Sequence, residues 1–152
     1  MVETTRNFSR ASSEVTRRVM QSNRGRDTGP ELRLRRLLHA MGLRYRVGLR
    51  AVPDLRRTID IAFTKQRIAV FVDGCFWHGC PTHSHSVKTN TSFWTDKITK
   101  NIARDLDTNE VLRARGWTVI RFWEHVDPED SANQVAELVH KFAGIQMPRC
   151  EQ

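Results

Sequence analysis

The chain has 152 residues, of which 25 are lysine or arginine and 17 are aspartate or glutamate, so its formal net charge is +8. The length fits one domain with a substantial core, and no run of about 18 apolar residues could span a membrane. The positive excess favours nucleic acid as a partner over an acidic protein or a membrane surface, since no helix pairs a basic face with a broad apolar face.

The domain organisation is simple. Residues 1–12 are expected to be disordered, residues 13–144 to form one domain, and residues 145–152 to be a disordered tail. The polar N-terminus lacks the apolar stretch of a secretory signal, which predicts a cytoplasmic location. The three cysteines, Cys75, Cys80 and Cys150, form no disulfide scaffold, and the close spacing of the first two favours metal binding in a reducing compartment.

The first well-marked helix follows a basic loop at residues 23–27. Thr28 and Glu31 have the spacing of a capping box, and Pro30 falls in the first turn. Four apolar residues then repeat at helical spacing, and Gly42 marks the end of the helix. These apolar residues are Leu34, Leu37, Leu38 and Met41.

Four strands and two further helices are predicted downstream. The alternation in the second strand puts Ile59, Ile61 and Phe63 on one face. The long helix should bury Ile98, Ile102 and Leu106, and it links two strands that are therefore predicted to be parallel. The result is an α/β fold, a small mixed sheet with helices on both faces. The predicted strands are residues 44–47, 58–63, 68–72 and 117–123, and the helices are residues 92–115 and a last helix starting at Pro128.

A compact group of metal ligands follows the apolar strand at residues 68–72. Cys75, Cys80 and His83 lie within nine residues and suit Zn²⁺, which takes four Cys or His ligands. His125 is the best candidate for the fourth ligand, because it follows a strand expected to run parallel to the first. His78 and His85 are competitors, and two buried free cysteines with exposed histidines are the alternative. Four protein ligands would make the zinc structural.

A second metal site is predicted at Asp60, a lone carboxylate in an otherwise apolar strand. Burying it without a partner would cost several kcal/mol, which a bound cation would remove. Asp73 ends the adjacent strand, and His78 lies close beyond it. This arrangement suits a Mg²⁺-dependent phosphodiesterase. The alternative is a structural ion pair between Asp60 and Arg56 or Arg57.

Several other polar and aromatic residues have both a structural and a functional interpretation. Glu31 is a helix cap or an acid at the active site. Asn101 and Asp105 lie one turn apart on the long helix. They belong either to a solvated polar face or to the active site. The rings of Phe76, Trp77 and Trp94 are core, or they stack on bases and wedge between base pairs.

In combination, these residues resemble the very-short-patch repair (Vsr) endonucleases. The match runs from about Arg17 to His125 in many ordered blocks. The blocks are Asn23 through Asp27-Thr28-x-x-Glu31; Gly42-Leu43-x-Tyr45-Arg46; Asp60; Phe71-Val72-x-Gly74-Cys75-Phe76-Trp77-His78; Asn90-Thr91-x-Phe93-Trp94-x-x-Lys97-Ile98; Asn101-x-x-Arg104-Asp105; Gly116-Trp117; and Trp123-Glu124.

The resemblance implies a restriction-endonuclease-like fold and a nick on the 5′ side of the thymine in a T·G mismatch. It implies that Asp60 and the Val72 carbonyl hold Mg²⁺, and that His78 assists the attacking water or the leaving group. Asp105 and Glu31 would bind water or support the site, and the cysteine–histidine set would bind zinc. The expected DNA contacts are Phe76, Trp77, Trp94, Lys97 and Asn101, with Arg24 and Arg26 in the basic loop.

The sequence departs from the family pattern at three places. Asp73 replaces a histidine that helps at the metal site of the best-known member, so Asp73 could itself bind the metal. His83 is shifted by one place in the zinc set. The loop at residues 53–58 is longer than the usual turn before the strand aspartate, which could alter the preference for flanking bases.

Two alternatives to a mismatch endonuclease follow from the same residues. One is a related restriction-type nuclease of other specificity, and the other is a zinc-stapled DNA-binding module without catalysis. Asp60 argues against the binding module, which would not need a carboxylate facing the DNA. The mismatch endonuclease is expected to act as a monomer, with mismatch-repair proteins as possible partners.

Overall fold

A computed structural model describes residues 26–83 and 90–144. The predictions made for residues 1–25, 84–89 and 145–152, including those for Arg24, His85 and Cys150, lie outside this part. The described chain forms three helices and four strands, with none of its helices long and apolar enough to cross a membrane. In chain order the elements are α1 (Gly29–Ala40), β1 (Arg46–Leu49), β2 (Ile59–Phe63), β3 (Ile68–Asp73), α2 (Thr91–Ala114), β4 (Thr118–Trp123) and α3 (Pro128–Ala143).

The four strands form one mixed sheet in the order β1-β2-β3-β4. β1 pairs with β2 and β2 with β3 in antiparallel fashion, whereas β3 and β4 are parallel. Residues 68–73 of β3 pair one to one with residues 118–123 of β4, and α2 makes the crossover between them. The predicted α/β class and the parallel pair are confirmed.

Helices cover both faces of the sheet. On one face, α1 and α3 pack on Ile61, Phe63, Val70 and Phe122. On the other face, Leu112 of α2 joins a smaller core that includes Ala62, Ala69 and Phe71 from the sheet. Each face of the sheet therefore has its own apolar core.

The capping box predicted from the sequence marks the start of α1. The capping box is present, and the Thr28 amide donates to the Glu31 carboxylate at 3.4 Å. Gly42 ends the helix with φ +81°, a conformation that glycine adopts without steric cost. Leu34 and Leu38 are 2% and 0% exposed and anchor the helix to the sheet.

The predicted core face of α2 is wrong. Ile102 and Leu106 are 39% and 58% exposed, and the buried residues of the helix are Trp94, Thr108 and Leu112. The reason is that the C-terminal part of α2 covers the sheet, whereas its N-terminal part extends past the sheet to the loop after β3. There Asn101 donates to the Trp77 carbonyl at 2.9 Å.

The prediction for β2 is wrong at one position. Ile61 and Phe63 share a core as expected, but Ile59 packs in the core on the opposite face. The paired register of β2 with β3 runs only from Phe63 to Ile61, and the Asp60 side chain accepts the Val72 amide at 3.0 Å. Where regular pairing of β2 with β3 ends, the Asp60 carboxylate thus accepts the hydrogen bond that a backbone carbonyl accepts in a regular sheet.

The burial of α2 predicts a contrast in stability between two leucines. Leu112→Ala is expected to lower the free energy of unfolding by about 2–5 kcal/mol, because it leaves a cavity over the sheet. Leu106→Ala, the exposed control, should change it by about 0.5 kcal/mol or less. Urea unfolding of both variants measures this, and equal losses would contradict the orientation of α2.

Candidate active site and metal centre

Most of the candidate functional residues lie where the parallel strands β3 and β4 end together. Asp73 pairs with Trp123, so Cys75 and His125 each lie two residues beyond the last pair. The Glu124 amide donates to the Asp73 carbonyl at 2.9 Å, and the Glu124 carboxylate accepts the Cys75 amide at 2.8 Å. These bonds hold the two chain segments together past the sheet.

The four predicted zinc ligands, Cys75, Cys80, His83 and His125, come together in the structure, with ligand atoms within 4.8 Å of one another. The sulfur of Cys75 lies 3.0 Å from Nδ1 of His125. The sulfur of Cys80 lies 3.8 Å from the same nitrogen and 3.9 Å from Nδ1 of His83. Neighbouring sulfur and nitrogen ligands of a tetrahedral zinc ion lie about 3.5 Å apart by bond geometry. The group can therefore hold a metal ion.

The loop at residues 74–83 is compact. The Cys80 amide donates to the Cys75 carbonyl at 3.0 Å, and the His78 amide donates to the Gly74 carbonyl at 3.2 Å. His78 contacts Asp105 of α2, and among the described residues it is not part of the ligand group that contains the two cysteines. Both cysteines are buried, at 7% and 0% exposure.

Asp60 is partly buried and forms no salt bridge among residues 26–83 and 90–144. Burial raises the pKa of Asp60 to about 6. The charges of Glu31 and Asp73 act in the same direction, whereas the hydrogen bond from the Val72 amide and the charge of Arg121 act against it. The ion pair with Arg56 or Arg57 considered from the sequence is not formed. Arg57 instead binds Asp107 and Thr108 of α2, both at 2.7 Å.

Glu31 has the structural role that its capping-box position predicts. It is 3% exposed and forms an ion pair with Arg35, which also binds Asp27 at 2.6 Å. The Arg35 carbonyl accepts the Tyr45 hydroxyl at 2.7 Å, which ties α1 to the start of β1. Glu31 is thus paired with Arg35, and its negative charge also helps to raise the pKa of Asp60.

His78 and Asp105 form a hydrogen-bonded pair. Nδ1 of His78 lies 2.5 Å from Asp105 Oδ2 and 3.9 Å from Asp73 Oδ1. Burial lowers the pKa of His78, but the hydrogen bond with Asp105 and the charge of Asp73 outweigh it, so the pKa is raised overall. Asp105 therefore lies against His78 and Arg121 and not on a fully solvated helix face.

Asp73 has a partner that the sequence reasoning missed. Nη1 of Arg121, in β4, donates to both oxygens of Asp73, at 2.8 and 3.0 Å. Arg121 is a lone charge in an apolar strand, the same signal that singled out Asp60.

The aromatic residues form one cluster beside this site. The ring centroids of Phe76 and Trp77 are 5.0 Å apart, and those of Trp77 and Trp94 are 5.8 Å apart. The ammonium group of Lys97 lies over both tryptophan rings, at 5.0 and 5.6 Å. Trp94 is only 9% exposed. Phe93 packs edge-on against Trp94 and is 44% exposed, and the sequence reasoning missed it as a candidate.

Of the two predicted basic-loop contacts, the structure describes Arg26. Its guanidinium lies against the backbone of Gly48 in β1. Its atoms are 3.1–3.3 Å from the position that a Cβ atom on Gly48 would occupy. Arg26 is exposed and its Nε lies 3.9 Å from Asp27. It therefore packs on the edge strand of the sheet, and the cluster of catalytic candidates does not include it.

Comparison with known proteins identifies the class as DNA endonuclease. The family model described as DNA mismatch endonuclease Vsr matches residues 11–85. The chain is 42% identical to the Type II nicking enzyme V.NaeI of Lentzea aerocolonigenes, over 81% of this chain and 75% of that protein. It is 40% identical to V.NmeDIP of Neisseria meningitidis serogroup C, a protein with the same description, over 76% of this chain and 78% of that one.

A further relative is the DNA mismatch endonuclease Vsr of Escherichia coli strain K12. It is 38% identical over 65% of this chain and 62% of the relative. The chain belongs to the Vsr family of DNA mismatch endonucleases.

The cysteine–histidine cluster predicts one bound metal ion per chain in the purified protein. Cys80→Ala should abolish binding, because it removes a fully buried sulfur from a set of four donors. Elemental analysis measures the metal content. His39→Gln, which removes an exposed imidazole at the end of α1, is the control and should keep the ion. Equal metal content in Cys80→Ala and the wild-type protein would contradict the assignment.

Proposed function

We propose that this protein is a Mg²⁺-dependent endonuclease that nicks double-stranded DNA 5′ of the thymine in a T·G mismatch, such as deamination of 5-methylcytosine leaves. The observation that carries the nuclease part is Asp60, a partly buried carboxylate that forms no salt bridge in the described chain and whose pKa the nearby charge of Asp73 helps to raise. Family membership and the relative in E. coli named as a mismatch endonuclease support a mismatch as the substrate, and T·G is the mismatch that the sequence resemblance implies.

Asp60 and the backbone carbonyl of Val72 are the proposed Mg²⁺ ligands. The Val72 amide points at Asp60, and the amide and carbonyl of one strand residue face the same neighbouring strand. The carbonyl of Val72 is therefore on the side of β3 that faces Asp60. A carboxylate whose pKa is raised to about 6 by burial is stabilised when a cation binds it. Mg²⁺ at such a site would polarise the phosphate and activate water.

His78 is the proposed proton carrier. Asp105 binds Nδ1 of the ring, which fixes the ring plane and leaves Nε2 as the nitrogen that can exchange a proton with water or the leaving oxygen. Asp105 thus acts through His78, and Glu31, which is paired with Arg35, supports the site from α1.

We assign zinc to Cys75, Cys80, His83 and His125, as a structural ion. Thiolate and imidazole ligands suit Zn²⁺, and four protein donors leave no open position for substrate. The ion would hold the 74–83 loop, which carries both His78 and the aromatic pair Phe76–Trp77. Its role in the reaction is therefore to fix the position of the loop.

The DNA is proposed to lie against the aromatic cluster. Phe76 and Trp77 are the partly exposed rings that would stack beside the mismatch, with Lys97 and Asn101 next to them on α2. Trp94, which is buried in the cluster, would have to leave it to insert between bases. Arg24 and Arg26 would contact backbone phosphates. We further propose a restriction-endonuclease-like fold, a single domain over residues 13–144 and action as a monomer.

A nicking assay on matched duplexes tests this function. Duplexes that differ only in a T·G, T·A or C·G pair at one methylation-type site, with each strand labelled separately, are incubated with the protein and Mg²⁺. A single nick 5′ of the thymine, in the T·G duplex only, is expected. Cleavage of fully paired duplexes would instead indicate a restriction-type nuclease, and binding without cleavage a DNA-binding module.

Asp60→Asn is the matched control for catalysis. The asparagine can still accept the Val72 amide, so the fold is retained, but the carboxylate charge is lost. The nicking rate is expected to fall by at least about 100-fold, by analogy with the loss of other electrostatic groups in active sites. Binding to the T·G duplex should persist. A variant that nicks as fast as the wild-type protein would rule out the proposed role of Asp60.

A further inference from the structure

Arg121 lies among the polar residues of the site and contacts two of its carboxylates. Nη1 of Arg121 donates to both oxygens of Asp73 and lies 3.6 Å from Asp105 Oδ1. Its Nε donates to Asn109 Oδ1 at 2.8 Å, and its guanidinium lies 4.3 Å from the ring centroid of Phe71. One strand residue thus connects Asp73, at the end of β3, with Asp105 on α2.

The two carboxylates that Arg121 contacts form, together with His78, a possible metal-binding set. Asp73, His78 and Asp105 each offer a ligand atom, and these atoms lie within 4.8 Å of one another. Two carboxylates at such a distance repel each other unless a cation lies between them. Arginine is always charged and presents a rigid planar fork of donors, so Arg121 supplies that cation permanently.

We propose that Arg121 is a built-in cation that takes the place of a second divalent metal ion, keeps Asp73 from binding Mg²⁺, and positions His78 through Asp105. The inference rests on the proposed nuclease function and deepens it, because it assigns one metal ion to the reaction. It also gives Asp73, which departs from the family histidine, a role as the partner of Arg121. Arg121 is in this account a positioning residue, since it acts through Asp73 and Asp105.

A merely structural ion pair would contribute to stability and do nothing else. If Arg121 replaces a metal ion, removing its guanidinium should do more than lower the stability. It should turn Asp73, His78 and Asp105 into a site for a divalent ion. This gain of a metal site is independent of nicking, and a structural role would not produce it.

The experiment counts Mn²⁺ ions by native mass spectrometry in the absence of DNA. All variants carry Asp60→Asn, so that the proposed Mg²⁺ site is removed and any ion at the cysteine–histidine cluster is common to all. The Asp60→Asn protein is expected to bind no Mn²⁺, and the Asp60→Asn/Arg121→Gln protein to bind one ion. A folded double variant that binds no Mn²⁺ overturns the proposal.

Arg57→Gln in the same background is the matched control. Arg57 makes the same type of bond to a carboxylate, 2.7 Å from Asp107, but the described residues form no cluster of three metal ligands around it. Its removal should add no ion. An ion gained by this control would mean that the loss of any arginine charge suffices, which also overturns the proposal.

The proposed roles of Asp60 and of Arg121 can be tested separately. If Asp60→Asn by itself still binds Mn²⁺ and still nicks, the proposed role of Asp60 is wrong. In that case the ion count with and without Arg121→Gln, taken as a difference, still decides whether Arg121 replaces a metal ion.

If the glutamine variant does not fold, Arg121→Lys in the otherwise wild-type chain decides the question. Lysine keeps the charge but cannot reach Asp73, Asp105 and Asn109 together. The single-turnover nicking rate should fall by about 100-fold, as for other small misplacements of catalytic groups, while DNA affinity and melting temperature stay unchanged. A wild-type rate would overturn the proposal.

Discussion

The parallel pairing of β3 with β4 is the constraint on which the site depends. It brings the ends of two strands that are 50 residues apart in the chain to one edge of the sheet, in register at Asp73 and Trp123. Cys75 and His125 meet because each follows its strand by two residues. A slip by one residue would separate the metal ligands and would also point Asp73 away from Arg121.

The second organising feature is the distribution of charge at that edge. Besides Glu124, which accepts the Cys75 amide, four carboxylates lie near that edge, and three of them have a cation or a histidine as partner: Arg35 binds Glu31, Arg121 binds Asp73 and approaches Asp105, and Asp105 also binds His78. Asp60 is the member of this group that forms no salt bridge in the described chain, although the charge of Arg121 also acts to lower its pKa. The unbalanced charge is therefore localised at the carboxylate that the proposed mechanism assigns to Mg²⁺.

Much of this arrangement was predictable from the sequence, since local patterns govern it. The capping box predicts α1, the apolar run at residues 68–72 predicts β3, and the βαβ order predicts the parallel pair of strands. The parallel pair in turn favours His125 over His78 and His85 as the fourth ligand of the cysteine–histidine cluster. The face of α2 was not predictable, because the helix extends past the sheet and its apolar period does not show what lies beneath each turn. The Arg121–Asp73 pair joins residues 48 apart in sequence, and only the register of β3 with β4 reveals it.

The position of the catalytic metal tests the central claim most directly. Crystals of the wild-type protein grown with Mn²⁺ give the ion's position by anomalous X-ray scattering. The account predicts a peak bound by the Asp60 carboxylate and the Val72 carbonyl, and none between Asp73, His78 and Asp105, where Arg121 supplies the charge. A peak bound by those three residues, with Asp60 left without an ion, would contradict it.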